Sequence, residues 1–173
     1  FSAFGPDALK DRLMDSEAKI LITNPALKDK IDGIRKELSE LEHVIVVGAD
    51  KKSLRKGELS YEELVASQSS ELECERMDIE DPLYLLYTSG TTGKPKGVVH
   101  VHGDIIGQHM TTKWVLDLRE DDIYWCTADP GWVTGTVYGI FGPLSNGASV
   151  VSYEGRIDAA SWYKLIDDLK ITV

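Results

Sequence analysis

Residues 83–102 of the chain read LYLLYTSGTTGKPKGVVHVH. Two runs with strand composition, 83–89 and 97–102, enclose a polar loop that is rich in glycine and hydroxyl side chains. Glycine lets backbone N–H groups approach a ligand closely, and consecutive N–H groups form an anion-binding concavity. Lys94 and Lys96 add positive charge. The stretch therefore predicts two strands joined by a loop that binds phosphate.

Two well-known phosphate loops do not fit this stretch. A Walker A loop places Ser or Thr after its lysine, whereas Pro95 follows Lys94 here. The dinucleotide fingerprint needs G-x-G-x-x-G at the start of a helix, and the loop holds no G-x-G. For GTTG alone, a flexible surface turn between two strands is an equally good interpretation.

The chain upstream of this loop predicts the fold class. Helical patterns at 5–18 and 25–41 alternate with the apolar strands KILIT, 19–23, and HVIVVG, 43–48. Apolar strands between amphipathic helices are typical of a covered, mostly parallel α/β sheet. Further helices are predicted from Ser60, Asp104 and Asp158 and over 132–147, with strands over 121–129 and 148–153.

Composition and charge restrict the classes of partner. The 173 residues carry a formal net charge of −10, which disfavours nucleic acid or an anionic membrane as the main partner. The only cysteines, Cys74 and Cys126, form neither a disulfide framework nor a zinc motif, which indicates a reducing cytoplasm. No apolar run approaches the roughly 20 residues of a membrane span, and Phe1 onward lacks the pattern of a signal peptide, so neither is predicted.

YTSGTTGKPKG, 87–97, resembles the phosphate-binding signature of the AMP-forming adenylating superfamily, and two further segments narrow the likeness. ADPGWVTGTVYGIFGPLSNGASVVSYEG, 128–155, and FSAFGPDALKDRLMDSEAKILIT, 1–23, are similar to regions of the acetyl- and propionyl-CoA synthetases. The resemblance covers nearly all of the chain. It implies that the parent enzyme activates a short-chain acid, acetate first, with ATP and Mg²⁺ and transfers the acyl group to CoA.

The resemblance also implies roles for individual residues. The phosphate-binding positions would be Thr88, Ser89, Gly90, Thr91, Thr92, Gly93, Lys94 and Lys96. Lys94 would be the catalytic cation, because it would stabilise charge on the departing pyrophosphate. Trp132, Val133 and Thr134 would line the acid pocket, with Thr134 also near CoA. The alternative for Trp132 and Val133 is burial in the core of a helix.

Asp158 departs from the resemblance, because an asparagine that contacts CoA is expected there; a helix cap suffices for the aspartate. His100 and His102 share a strand face, but no third ligand has metal-site spacing, so no protein metal site is predicted.

The family's later adenine, ribose and C-terminal motifs do not occur in the sequence. We therefore expect a fragment of the two-lobed, stacked α/β/α/β/α N-terminal domain, inactive alone and prone to self-association through exposed apolar faces. Residues 1–115 would form the first lobe and 116–173 the start of the second, with the C-terminal domain absent. A ligase for another acid and a stand-alone nucleotide- or anion-binding module remain alternatives.

Overall fold

A computed structural model of the chain describes residues 3–88, 93–155 and 158–173. The helices are α1 (Pro6–Asp15), α2 (Asp29–Asp32), α3 (Tyr61–Ala66), α4 (Asp104–Val115), α5 (Val133–Thr136), α6 (Gly142–Ser145) and α7 (Ala159–Leu169). The strands are β1 (Ile20–Thr23), β2 (His43–Val46), β3 (Glu58–Ser60), β4 (Pro82–Thr88), β5 (Lys96–Val101), β6 (Ile123–Tyr124) and β7 (Ser149–Val150). Mixed helices and short sheets confirm the α/β prediction.

The described chain divides into two compact units. The first unit lies within residues 3–76 and 87–98, and the second lies within 77–86 and 99–173. Neither unit has a boundary at 115/116. The predicted division there concerns the lobes of a longer domain, and it stays a prediction.

The first unit is built on a parallel sheet in the order β1, β2, β3. Leu21 lies opposite Val44, and Val46 lies opposite Ser60. Val46 is fully buried, and Leu9 and Leu13 of α1 pack against the core around it. Strand β3, only three residues long, has too short a pattern for the sequence to predict it.

The prediction of a single helix over 25–41 is wrong. The segment folds as the four-residue α2 and a 3₁₀ turn, Arg35–Glu37, because the helix ends at Gly33. Successive i→i+3 hydrogen bonds join Ile31 to Ile34 and Ile34 to Glu37. Such bonds bring side chains three residues apart onto one side. The apolar residues expected on one helix face are therefore buried together, at Ile31, Ile34, Leu38 and Leu41.

The second unit contains the parallel pair β6 and β7, both shorter than predicted. The helix predicted over 132–147 consists of α5, a π-helical turn at Val137–Phe141, and α6. Gly142 lies where α4 approaches, since a Cβ there would come within 2.2 Å of Thr112 Oγ1. Gly147, with φ of 79°, ends the helical segment as predicted.

Predicted helix starts agree closely with the structure. Asp104 begins α4, and the Asp158 carboxylate accepts a hydrogen bond from the N–H of Ser161 at 2.9 Å. The Ser60 hydroxyl accepts the N–H of Glu63 at 3.3 Å and so caps α3 at the predicted start. The Glu63 carboxylate accepts a hydrogen bond from Lys51.

Candidate functional site

The polar loop connects β4 to β5 and belongs to the first unit. Its described parts are Thr88, whose hydroxyl lies 3.5 Å from the carbonyl oxygen of Lys96, and residues from Gly93 onward. Gly93 has φ of 86°, a backbone conformation that favours glycine. The predicted positions Ser89, Gly90, Thr91 and Thr92 lie outside the described residues.

Both predicted cations of the loop, Lys94 and Lys96, are exposed to solvent. Lys94 borders an open depression of about 320 Å³, whose other wall includes Asp11 and Asp15 of α1. Within the described part of the chain, neither lysine forms an ion pair. The ammonium groups therefore remain accessible to an anionic ligand.

Tyr87 fixes the chain immediately before the loop. Its hydroxyl donates to Asp15 Oδ2 at 2.7 Å and lies 3.4 Å from the carbonyl oxygen of Arg12. The Arg12 guanidinium lies 3.9 Å from the Phe4 ring centroid and 5.7 Å from that of Tyr87. Burial, reinforced by the Asp15 hydrogen bond, raises the pKa of Tyr87 to about 12.

A second candidate segment, 128–135, precedes and opens α5 in the other unit. The Asp129 carboxylate accepts the N–H of Gly131 at 2.7 Å, and its carbonyl accepts the N–H of Trp132 at 2.9 Å. The Thr136 hydroxyl donates to the carbonyl of Pro130 at 2.6 Å. These hydrogen bonds fix the turn that delivers Trp132 as the N-cap residue of α5.

Trp132, Val133 and Thr134 lie together at the start of α5 and are exposed. Trp132 is 48% and Val133 51% exposed, so neither is the core residue of the alternative interpretation. Gly135 and Thr136, which follow, are buried. The segment thus presents its three predicted pocket residues on the surface of the described chain.

A cavity of about 600 Å³ adjoins this segment, within the same unit. It lies where the chain leaves the carboxyl ends of β6 and β7, the usual position of ligand sites in parallel α/β sheets. Trp125, Tyr153 and Trp162 supply aromatic lining, and the ring centroids of Trp125 and Trp162 are 4.9 Å apart. The sequence prediction missed this cavity, since its lining comes from segments far apart in the chain.

His100 has structural partners. His100 Nδ1 lies 2.9 Å from Asp104 Oδ2, and its ring stacks on Tyr84 at a centroid distance of 4.5 Å. No group of three or more His, Cys, Asp or Glu side chains that could hold a metal ion occurs in residues 3–88, 93–155 and 158–173. Over the same ranges, no helix has the length and apolar character needed to cross a membrane.

Known proteins resemble this chain in sequence along its whole length. A family model described as AMP-binding enzyme matches residues 1–173. The chain is 51% identical over 173 residues to an acetyl-coenzyme A synthetase of Bacillus subtilis (strain 168), covering 100% of the chain and 30% of that protein. It is 40% identical over 189 aligned residues to an acetyl-coenzyme A synthetase of Methanothrix thermoacetophila, covering 100% of the chain and 29% of that protein.

Two solved structures have the same fold as this chain over nearly all of its length. An acyl-CoA synthetase of Brucella canis superposes with a TM-score of 0.90 at 34% identity, over 99% of this chain and 31% of that one. The anthranilate CoA ligase AuaEII, in complex with anthranoyl-AMP, superposes with a TM-score of 0.87 at 32% identity, over 99% and 33%. The chain thus spans about a third of the length of these relatives.

Proposed function

The chain belongs to the family of AMP-binding enzymes, and from this premise we propose that it is part of the N-terminal domain of an acetate–CoA ligase. Its ligands would be ATP with Mg²⁺, a short-chain carboxylic acid and CoA. Free Cys74 and Cys126 suit the cytoplasm as its compartment. Neither the described residues nor the relatives support the predicted self-association, so small molecules are the only partners proposed.

The proposed reaction has two steps. A carboxylate oxygen attacks the α-phosphorus of ATP, forming the acyl-adenylate while pyrophosphate leaves. The CoA thiol then loses its proton and attacks the acyl carbon, and AMP leaves as the thioester forms. Activation is needed because a carboxylate is a poor electrophile, whereas AMP is a good leaving group.

The loop would act by electrostatic stabilisation. Negative charge develops on pyrophosphate as its bond to the α-phosphorus breaks, and a cation fixed beside that charge lowers the barrier. Lys94 suits this role, since it is exposed and follows Gly93 in its positive-φ conformation. Mg²⁺ would be held chiefly by the substrate phosphates and water, since it usually takes only one or two protein carboxylates at nucleotide sites.

The observation that carries the proposal is the 51% identity to an acetyl-coenzyme A synthetase over all 173 residues. That alignment includes both candidate segments, the loop and 128–135. We assign Trp132, Val133 and Thr134 to the wall of the acid pocket, and Thr134 also to the approach of CoA. Their exposure at the start of α5 supports this assignment.

A ligase for another acid is the second candidate. The specific observation in its favour is the anthranilate CoA ligase, whose structure matches this chain with a TM-score of 0.87. The fold is therefore compatible with a much larger acid. Pyrophosphate exchange measured with acetate, propionate, butyrate and anthranilate distinguishes the two, and an anthranilate preference would reject acetate.

The decisive experiment replaces Lys94 in the full-length protein that carries this segment. Lys94→Ala is expected to slow acetate-dependent pyrophosphate exchange by about 100- to 1,000-fold, the usual effect of losing one transition-state charge contact. Lys52→Ala removes another exposed lysine, outside the loop, and should leave exchange unchanged. If Lys94→Ala and Lys96→Ala both exchange at the parent rate, the loop is not the phosphate site.

A further inference from the structure

We propose that Tyr87 is a positioning residue that holds the start of the phosphate-binding loop on helix α1 through its hydrogen bond to Asp15. The inference rests on the proposed function, because it assigns Tyr87 to the same adenylation step. Tyr87 itself would not touch the nucleotide. It would act through the loop that follows it.

The contact joins two distant segments of the first unit. Tyr87 is the penultimate residue of β4, and Asp15 is the last residue of α1, 72 positions earlier in the chain. The hydroxyl-to-carboxylate distance of 2.7 Å is typical of a charge-assisted hydrogen bond. A 5.7 Å approach of the Arg12 guanidinium to the ring supplies a second, cation–π contact from the same helix.

Asp15 is badly placed for the stability of its own helix. The C-terminal end of a helix carries partial negative charge, and a carboxylate there is unfavourable. Among its described contacts, the Tyr87 hydroxyl is its hydrogen-bond partner. The hydrogen bond that Asp15 accepts from Tyr87 therefore explains an acid in this position. Residues that break a local preference are commonly functional.

Holding Tyr87 also fixes its neighbour Thr88, the last residue of β4. Successive strand side chains point to opposite faces, so fixing Tyr87 against α1 also fixes the direction of Thr88. Thr88 is the first predicted phosphate-binding position, and its hydroxyl already lies near the carbonyl of Lys96, at the other end of the loop. Burial raises the pKa of Tyr87 to about 12, so its hydroxyl stays protonated and can donate well into the alkaline range.

Preorganisation of this kind affects the transition state more than ground-state binding. Donors that are already in place need no reorganisation when charge develops on pyrophosphate. Loss of the anchor should therefore lower kcat for exchange, while KM for the acid stays unchanged. A purely structural role would instead lower the melting temperature and the amount of folded enzyme, leaving kcat per folded molecule intact.

The test uses the full-length protein and pyrophosphate exchange at saturating ATP. Tyr87→Phe removes only the hydroxyl and is expected to lower kcat about five- to tenfold, the equivalent of one hydrogen bond. Asp15→Ala should lower it equally, and Asp15→Asn, which keeps an acceptor oxygen, should restore most of the loss. The Tyr87→Phe, Asp15→Ala double variant should be no slower than either single variant, because both remove one contact. Tyr61→Phe, an exposed tyrosine on α3, is the matched control.

The outcomes separate this inference from the proposed function. Parent-like kcat in Tyr87→Phe, with Lys94→Ala strongly impaired, overturns the anchor but leaves the phosphate site intact. Additive losses in the double variant, or no rescue by Asp15→Asn, also overturn it. If Lys94→Ala and Lys96→Ala are themselves without effect, the proposed function has failed rather than the anchor alone.

Discussion

Gly135, the last residue of GWVTG, should not tolerate even a methyl group. A Cβ built on Gly135 would lie 2.1 Å from the carbonyl oxygen of Asp129, 2.4 Å from its carbonyl carbon and 2.7 Å from the nitrogen of Pro130. Non-bonded atoms normally meet at about 3.5–4.0 Å, so the turn and the helix would have to separate by more than about 1 Å. All three atoms belong to the backbone, which cannot rotate away as a side chain can.

The magnitude follows from two opposing effects. Alanine in place of a helical glycine usually stabilises by about 0.5–1 kcal/mol. Overpacking usually destabilises by about 1–3 kcal/mol, and the backbone overlap here belongs to the upper part of that range. Gly135→Ala should therefore lower the free energy of unfolding by about 1–2 kcal/mol.

Gly107→Ala is the matched control. Gly107 lies in α4, and nothing comes within 4 Å of the position its Cβ would occupy. This variant should become more stable, by about 0.5–1 kcal/mol. The measurement is the urea dependence of unfolding of the 173-residue chain, supported by melting temperatures, which shift by roughly 2–4 °C per kcal/mol at this size.

The sign of the change decides the outcome. If Gly135→Ala is as stable as the parent or more stable, the close approach of α5 to the Asp129 turn is incorrect. In the full-length enzyme, the displaced turn would also move Trp132 and Val133. Since a misplacement of about 1 Å can cost roughly 100-fold in rate, acetate activation should fall far more than stability alone accounts for.

Two further predictions concern the acid pocket and acid stability. Val133→Ala in the full-length enzyme should raise the efficiency for butyrate relative to acetate, by about 1–3 kcal/mol in transition-state terms; an unchanged ratio in a folded variant would remove Val133 from the pocket wall. Burial disfavours ionisation of Glu58, but hydrogen bonds from the N–H of Arg55 and from Lys28 outweigh it and lower its pKa below the ordinary 4.5. This carboxylate therefore stabilises the fold above about pH 4.5, and that stability is lost as pH falls through the lowered pKa. Glu58→Gln should destabilise by about 3 kcal/mol at pH 7, as breaking a buried ion pair does, and should flatten the acid limb of the stability curve; equal slopes below pH 5 would contradict this.

Local signals made the helix starts predictable. Ser60 and Asp158 cap their helices with side-chain oxygens, and this chemistry depends only on residues within three positions. The strands β1, β2, β4 and β5 were predictable for a similar reason, because each contains neighbouring apolar or β-branched residues. Burial in the segment 25–41 was also predictable, although its helix was not, since helical and 3₁₀ spacings both place residues three apart on one side.

Features that depend on distant segments were not predictable from patterns along the chain. The π-helical turn at Val137–Phe141 lies where α4 brings Thr112 against Gly142, and neither sequence neighbourhood contains that information. The Glu63 carboxylate of α3 likewise accepts a hydrogen bond from Lys51, 12 positions earlier in the chain.

The candidate site depends both on local sequence signals and on contacts between distant segments. The phosphate loop is encoded locally, since glycine freedom, hydroxyl donors and lysine charge are properties of consecutive residues. In the anchor proposed above, the start of the loop is held by a contact that is not local, since Tyr87 reaches Asp15 across 72 positions. On this proposal, the motif identifies the chemistry of the loop, whereas the long-range contact holds the strand residue from which the loop starts. Lys94→Ala should slow adenylation by about 100- to 1,000-fold, whereas Tyr87→Phe should slow it only about five- to tenfold, which is a difference that kinetics on the two variants can measure directly.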